Sequence, residues 1–288
     1  MSANNTFVRT LPATATPLDF DLLSRQILGI LRLELRRNLL SRRAFALYFL
    51  ALFPVFVMAV WAATPLTEEF DGPAQVTKMF AMFFVPYLRV SIFLSTLFLF
   101  MSLFRSEILE RSLHYYFLTP VRREVLVIGK YLAALFACCG TYLLSTAALY
   151  LLACLPWGVS ELLRYLFQGP GLGNLVAYLG TAVLACAGYG AVFLLAGLFF
   201  RNPVIAAFLV YTWESINFLL PSLLKKVSVI FYLQALYPIP VEVKSLLAVV
   251  ADPPPVWASI FGLLVFTALV LGAACWRARR MEVAYGAD

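Results

Sequence analysis

Charge is what this chain has least of. Only 13% of its 288 residues are Asp, Glu, Lys or Arg, against roughly 25% in a soluble domain. That shortage, with 62% hydrophobic residues and a mean hydropathy of +0.88, excludes an ordinary soluble globular protein. Catalytic groups are scarce too. His114 is the single histidine, and no Ser/His/Asp arrangement, carboxylate pair or metal-ligand cluster stands out. The five cysteines, Cys138, Cys139, Cys154, Cys186 and Cys275, sit in apolar surroundings without Cys-x-x-Cys spacing. They read as small buried hydrophobes and require neither disulfide nor metal. Strand-like alternation is missing, which excludes a membrane β-barrel. The N-terminus has no continuous apolar run, so no cleaved signal peptide is expected. A net charge of +7 would point to nucleic acid in a soluble protein. Here the basic residues flank apolar runs and read as topology signals, with no nucleic-acid partner.

What the chain does have is long apolar segments. The expectation is an all-α integral membrane protein with six transmembrane helices, at Ala44–Ala62, Pro86–Phe104, Val125–Leu152, Leu175–Phe200, Val204–Leu220 and Val256–Trp276. Each approaches or exceeds the ~20 residues that a helix needs to cross a bilayer. Residues 44–276 would form the transmembrane domain, after a cytoplasmic segment 1–43 and before a cytoplasmic tail 277–288. Sixteen Lys and Arg fall on the side of both termini, five on the other, and Arg89 within a span. The positive-inside rule then makes both termini cytoplasmic in a multi-pass protein of the cytoplasmic (inner) membrane. Lys225-Lys226 is the main exception. Segment 221–255, with Pro238, Pro240, Glu242 and Lys244, is expected to be an external re-entrant or interfacial element rather than a seventh span. The stretch "WGVSELLRYLFQGPG" reads as a second short external helix.

Ahead of the first span, Leu23, Ile27, Ile30, Leu31 and Leu35 recur at helical spacing, with Arg25, Arg32, Arg36 and Arg43 on a separate stripe. Asp19 or Asp21 could cap the helix start. Such a basic amphipathic helix suits an elbow lying on the anionic inner leaflet, with membrane lipids as its partner.

The stretch Arg105–Leu132 interrupts the apolar pattern between spans two and three. Leu109, Leu113, Tyr116 and Phe117 share one helical face, and Glu107, Arg111 and His114 share another. Thr119 can cap a following helix with Pro120 at its first position. The aromatic cluster on such a helix suits partner contact.

This segment resembles the cytoplasmic segment of type-2 exporter permeases of the ATP-binding-cassette (ABC) transporters. Thr119, Pro120, Val121, Arg123, Gly129 and Lys130 match the family's Thr-Pro-Val-x-Arg turn and the Gly-Lys pair that opens the third span. Glu107 and Glu110 match its acidic start. Arg111-Ser112-Leu113 stands where the family usually has Gly-Thr-Leu, and Tyr115 and Tyr116 stand where it has leucines. The resemblance implies a coupling helix within 105–123 that docks on a cytoplasmic ATPase through Glu107, Glu110, Arg111, Leu113, His114, Tyr116, Phe117, Pro120 and Arg123. This chain has no P-loop of its own. Glu124 lies five residues before Gly129, and Tyr131 replaces the Ser or Thr that binds Mg²⁺. The implied assembly is two permease copies, a homodimer or related heterodimer, with two ATPases that bind ATP and Mg²⁺. No cofactor would bind this chain, and it would not itself be an enzyme.

Two ionisable residues fall inside spans. Glu214 is expected about 20 Å from Arg201 at ~1.5 Å per residue, and Arg89 near the outer start of a span beginning at Pro86. Their depths allow an ion pair, and intramembrane charges are functional candidates. Tyr211, Glu214 and Asn217, with Arg89, form the candidate substrate path. Ala182, Cys186 and Gly190 form a small-residue stripe suited to intramolecular helix packing. The competing readings are an integral membrane enzyme and an ATP-independent scaffold or assembly protein.

Overall fold

The computed structural model describes residues 20–40, 42–65, 70, 72–109, 122–200, 202–216, 221–239 and 254–280. These residues are helical, with no strand among them. The order is α1 (Phe20–Leu40), α2 (Arg42–Ala62), α3 (Pro73–Pro86), a π-helical turn (Tyr87–Ile92), α4 (Phe93–Leu109), α5 (Arg123–Cys154), a 3₁₀ turn (Leu155–Trp157), α6 (Val159–Gln168), α7 (Gly171–Phe199), α8 (Pro203–Ile216), α9 (Ser222–Lys225), α10 (Val229–Gln234) and α11 (Val256–Arg279).

Among the described residues, five helices are long and apolar enough to cross a membrane: Ala44–Ala62, Pro73–Phe104, Arg123–Trp157, Gly171–Phe199 and Val256–Arg279. The expected span Val204–Leu220 is described only as far as Ile216, its residues 217–220 lying outside the described residues. Its described helix, α8, has 14 residues, or ~21 Å at 1.5 Å per residue, short of the ~30 Å hydrocarbon core. The second expected span differs the other way. Pro86 does not open a helix but lies within one that begins at Pro73. Proline lacks the N–H for an i→i−4 bond, and the chain accommodates it by widening into the π turn that follows.

α7 sits at the centre, apolar all round, with Tyr178, Ala182, Ala185, Cys186 and Phe193 fully buried. Around it pack α4, α5 and α11, while α2 leans on α5. The small-residue stripe lies inside, as expected. A Cβ added at Gly190 would meet the Phe100 ring at 2.6 Å, and one at Gly197 would meet the Met101 backbone at 3.2 Å, so α4 and α7 approach closely. Phe45, Phe49, Phe53 and Phe56 on α2, and Trp257, Phe261 and Leu269 on α11, point outward and exposed. An outer surface of this kind is suited to lipid.

Inside, several hydroxyls bond to protein groups. Tyr142 donates to the Ser91 carbonyl (2.6 Å), Tyr131 to the Ala187 carbonyl (2.9 Å), and Tyr87 to Ser145 (3.0 Å), which donates onward to the Ala51 carbonyl (2.7 Å). In a medium without water such polar groups need internal partners. All five cysteines are free.

The two ends of the bundle differ. At one end the start of α5 meets the end of α11: Arg123 donates to the carbonyls of Arg279 (2.9 Å) and Ala278 (3.4 Å), and Arg279 pairs with Glu124. Arg277 stacks on Phe199 at the end of α7 (5.2 Å), and α1 packs along α5. This is the basic end. At the other, Trp61 and Trp157 both meet Phe70, and Tyr165 of α6 bonds Thr77 of α3 (2.9 Å). The expected short helix in "WGVSELLRYLFQGPG" is α6, seated by Leu162 and Leu166.

Candidate functional site

α1 is anchored by a polar residue, Glu34, that its apolar periodicity does not reveal. Ile30, Leu35 and Leu39 of α1 do pack against the core, while Leu28 and Leu33 are exposed and Leu31 is half-buried. The most buried described residues of α1 are instead Glu34 and Asn38. Lys130 lies fully buried on α5 and donates to the Glu34 carboxylate at 2.6 Å, with its ammonium 5.7 Å from the Phe104 ring centre. Beside it, a Cβ on Gly129 would come 2.9 Å from Ile30, so the glycine lets α1 seat against α5. The Gly129-Lys130 pair therefore seats α1 on α5. Arg25, Arg32 and Arg36 stay exposed, in keeping with the expected basic stripe.

Of the nine residues expected to dock a partner, Arg123 is placed with its contacts at the basic end. Glu107 lies on the last turns of α4 by its backbone. Glu110, Arg111, Leu113, His114, Tyr116, Phe117 and Pro120 fall outside the described residues, as does Asn217 of the candidate path. The α4 and α5 ends that flank the segment are both at the basic end, since Phe104 reaches Lys130.

The remaining path residues come together. Arg89, Tyr211 and Glu214 line one small cavity of about 10 Å³, with Phe93, Tyr189 and Ile230 among its walls. Because the helix begins at Pro73, Arg89 lies about midway along Pro73–Phe104 rather than near its outer start, which corrects the sequence expectation. Position also decides the partner of Glu214. Ser228 (2.8 Å), the Val229 N–H (3.0 Å) and the Ile230 N–H (3.0 Å) all donate to its carboxylate. Glu214 is thus the cap of α10, satisfying N–H groups that its own first turn cannot. An ion pair with Arg89, allowed by the expected depths, is not formed.

α10 buries one face, Val229, Ile230 and Leu233. Val229 sits over Gly188 of α7 and Tyr232 over Gly262 of α11, where added Cβ atoms would meet them at 2.9 and 2.5 Å. Part of the expected external segment is therefore a short helix set into two glycine notches and capped by Glu214. Sequence reasoning missed Ser228, Tyr189 and Phe93, which lie far apart along the chain and show no shared motif. It also missed Glu34.

Matches elsewhere are absent. This chain matches no family model, no curated protein and no solved structure. Among the described residues no group of three or more His, Cys, Asp or Glu could hold a metal ion.

Proposed function

We propose that this chain is the transmembrane permease subunit of an ABC transporter, exporting a substrate across the cytoplasmic membrane with ATP hydrolysed by a separate subunit. The segment from Glu107 to Lys130 carries the reading: an acidic, Arg-containing stretch and a Thr-Pro-Val-x-Arg sequence join two apolar helices, and a Gly-Lys pair follows in the first turns of α5. Its flanking helix ends belong to the basic end of the bundle, which the positive-inside rule assigns to the cytoplasm with both termini. The partners are a cytoplasmic ATPase, which binds ATP and Mg²⁺, a second permease copy, and membrane lipids.

The mechanism follows from how the segment is tied in. Force applied between Glu107 and Arg123 reaches α11 through the Arg123–Arg279 contact and α1 through Lys130–Glu34. ATP-driven movement of the docking helix thereby tilts α1, α5 and α11 together and switches the paired bundles between inward-open and outward-open or closed states.

The test is co-purification in mild detergent from cells that supply the ATPase. Leu113→Glu with Phe117→Glu should leave the chain inserted and release the ATPase. ATPase recovered at wild-type stoichiometry with that variant would sink the docking assignment.

A further inference from the structure

The first turn of α5 and the last turn of α11 border a charged cleft at the basic end of the bundle. Its volume is about 340 Å³ and its lining is Arg122, Arg123, Glu124 and Arg279, a size within the roughly 300–1,000 Å³ of small-ligand sites. Three guanidiniums face one carboxylate, so the lining carries a net charge of +2. Contacts within the bundle use only part of it. Arg123 is turned to the α11 carbonyls of Ala278 and Arg279. Arg279 gives its Nε to Glu124, which leaves its terminal nitrogens without a partner among the described residues, on a side chain 65% exposed. Arg122, exposed before the first turn of α5, caps nothing with its side chain and makes no ion pair among the described residues.

We propose that this cleft binds a phosphate group, carried by an anionic lipid headgroup or free in solution, which bridges Arg122 of α5 and Arg279 of α11. The site goes beyond the permease reading and does not rest on it. The arginines select the ligand. A guanidinium presents paired donors that match phosphate oxygens, and a tetrahedral phosphate can accept from two guanidiniums on different helices at once. The lining also includes the opening residues of a 32-residue helix that no side chain caps, and backbone N–H groups at such an end favour an anion further.

The depth of the cleft is marked by Trp276, one turn before Arg280 on α11. It is 53% exposed, and the Arg280 guanidinium lies 4.3 Å from its ring centre. Tryptophan collects at the headgroup level of a bilayer, and here it closes the apolar stretch of α11. The cleft just beyond it is therefore within reach of both a headgroup and the aqueous phase, on the side where the leaflet is anionic. Other ligands fit worse. A metal cation meets a net positive lining whose single carboxylate is already paired, and an uncharged ligand has no use for the two open guanidiniums.

The purified, delipidated chain, without any ATPase, is offered equal phosphatidylglycerol and phosphatidylcholine, and native mass spectrometry counts what it retains. A second arm adds inorganic phosphate at constant ionic strength to the chain in uncharged detergent and follows the melting temperature. Wild type should prefer phosphatidylglycerol about tenfold, equivalent to ~1.4 kcal/mol, or be stabilised by phosphate. Which of the two responds identifies the source of the phosphate. Arg122→Gln should weaken the response, Arg122→Glu should abolish it and Arg122→Lys should keep most of it, and all three should elute like wild type in gel filtration. Arg32→Gln with Arg36→Gln, on the exposed face of α1, removes two charges elsewhere and should leave the response intact. A response that survives Arg122→Glu, that falls as far with the α1 pair, or that is missing from both arms in wild type would overturn the proposal. Since no ATPase is present, such a result leaves the docking assignment standing, and a lost ATPase would leave this site standing.

Discussion

The ammonium of Lys130 and the carboxylate of Glu34 meet at 2.6 Å with side chains 0% and 3% exposed, joining a helix outside the bundle to one inside it. Two buried charges are stable together and costly apart. Removing one partner of a buried pair costs about 3–5 kcal/mol, whereas apolar replacement of both is often neutral or stabilising. Glu34→Leu or Lys130→Met alone should therefore lower the melting temperature in detergent, and the double variant should recover most of it. Single variants as stable as wild type would mean that water enters the α1–α5 seam and the pair does not hold α1 in place.

How α1 sits also shows what the sequence can and cannot tell. Its helical period and exposed arginines are legible, because hydrophobic spacing reports the face that touches the bundle. Glu34 and Asn38 are not, because a polar residue reads as solvent-facing until its buried partner is known, and Lys130 is 96 residues away. Arg89 was misplaced for a local reason. A proline can open a helix or interrupt one, and Pro86 is followed by enough apolar residues to fit either reading. The charge of Glu214 marks it as a candidate path residue, but its partners, the Ser228 hydroxyl and two backbone N–H groups of α10, are not encoded by any side-chain pattern. The apolar runs behind the five long helices are legible in the sequence, although the second helix begins at Pro73 rather than at Pro86.

Gly190 and Phe100 make the closest notch between α4 and α7, with an added Cβ 2.6 Å from the ring. The ring is itself buried to 1% exposure and has no free volume to enter. Gly190→Ala should destabilise by about 1–3 kcal/mol, the usual range for overpacking a tight core. Phe100→Leu should restore part of that loss in the double variant, although alone it leaves a cavity. If Gly190→Ala melts with wild type, α4 and α7 can separate at little cost, and the small-residue stripe is not what sets their distance.

Glu214 makes the last case, because it separates packing from capping at α10. Val229 over Gly188 and Tyr232 over Gly262 supply the packing, and the carboxylate supplies three hydrogen bonds. Hydrogen bonds to a charged group contribute about 1.5–3 kcal/mol each when buried donors would otherwise be left unmet. Glu214→Leu preserves bulk but strands the Ser228 hydroxyl and the Val229 and Ile230 N–H groups. Amide hydrogen exchange over residues 229–234 should then speed up by at least about tenfold, the equivalent of ~1.4 kcal/mol, while exchange in α7 stays as in wild type. Glu214→Gln, which keeps one acceptor oxygen, should fall between the two. Unchanged exchange in Glu214→Leu would show that the glycine notches alone hold α10, and the carboxylate would then be free for a role at the Arg89 cavity instead.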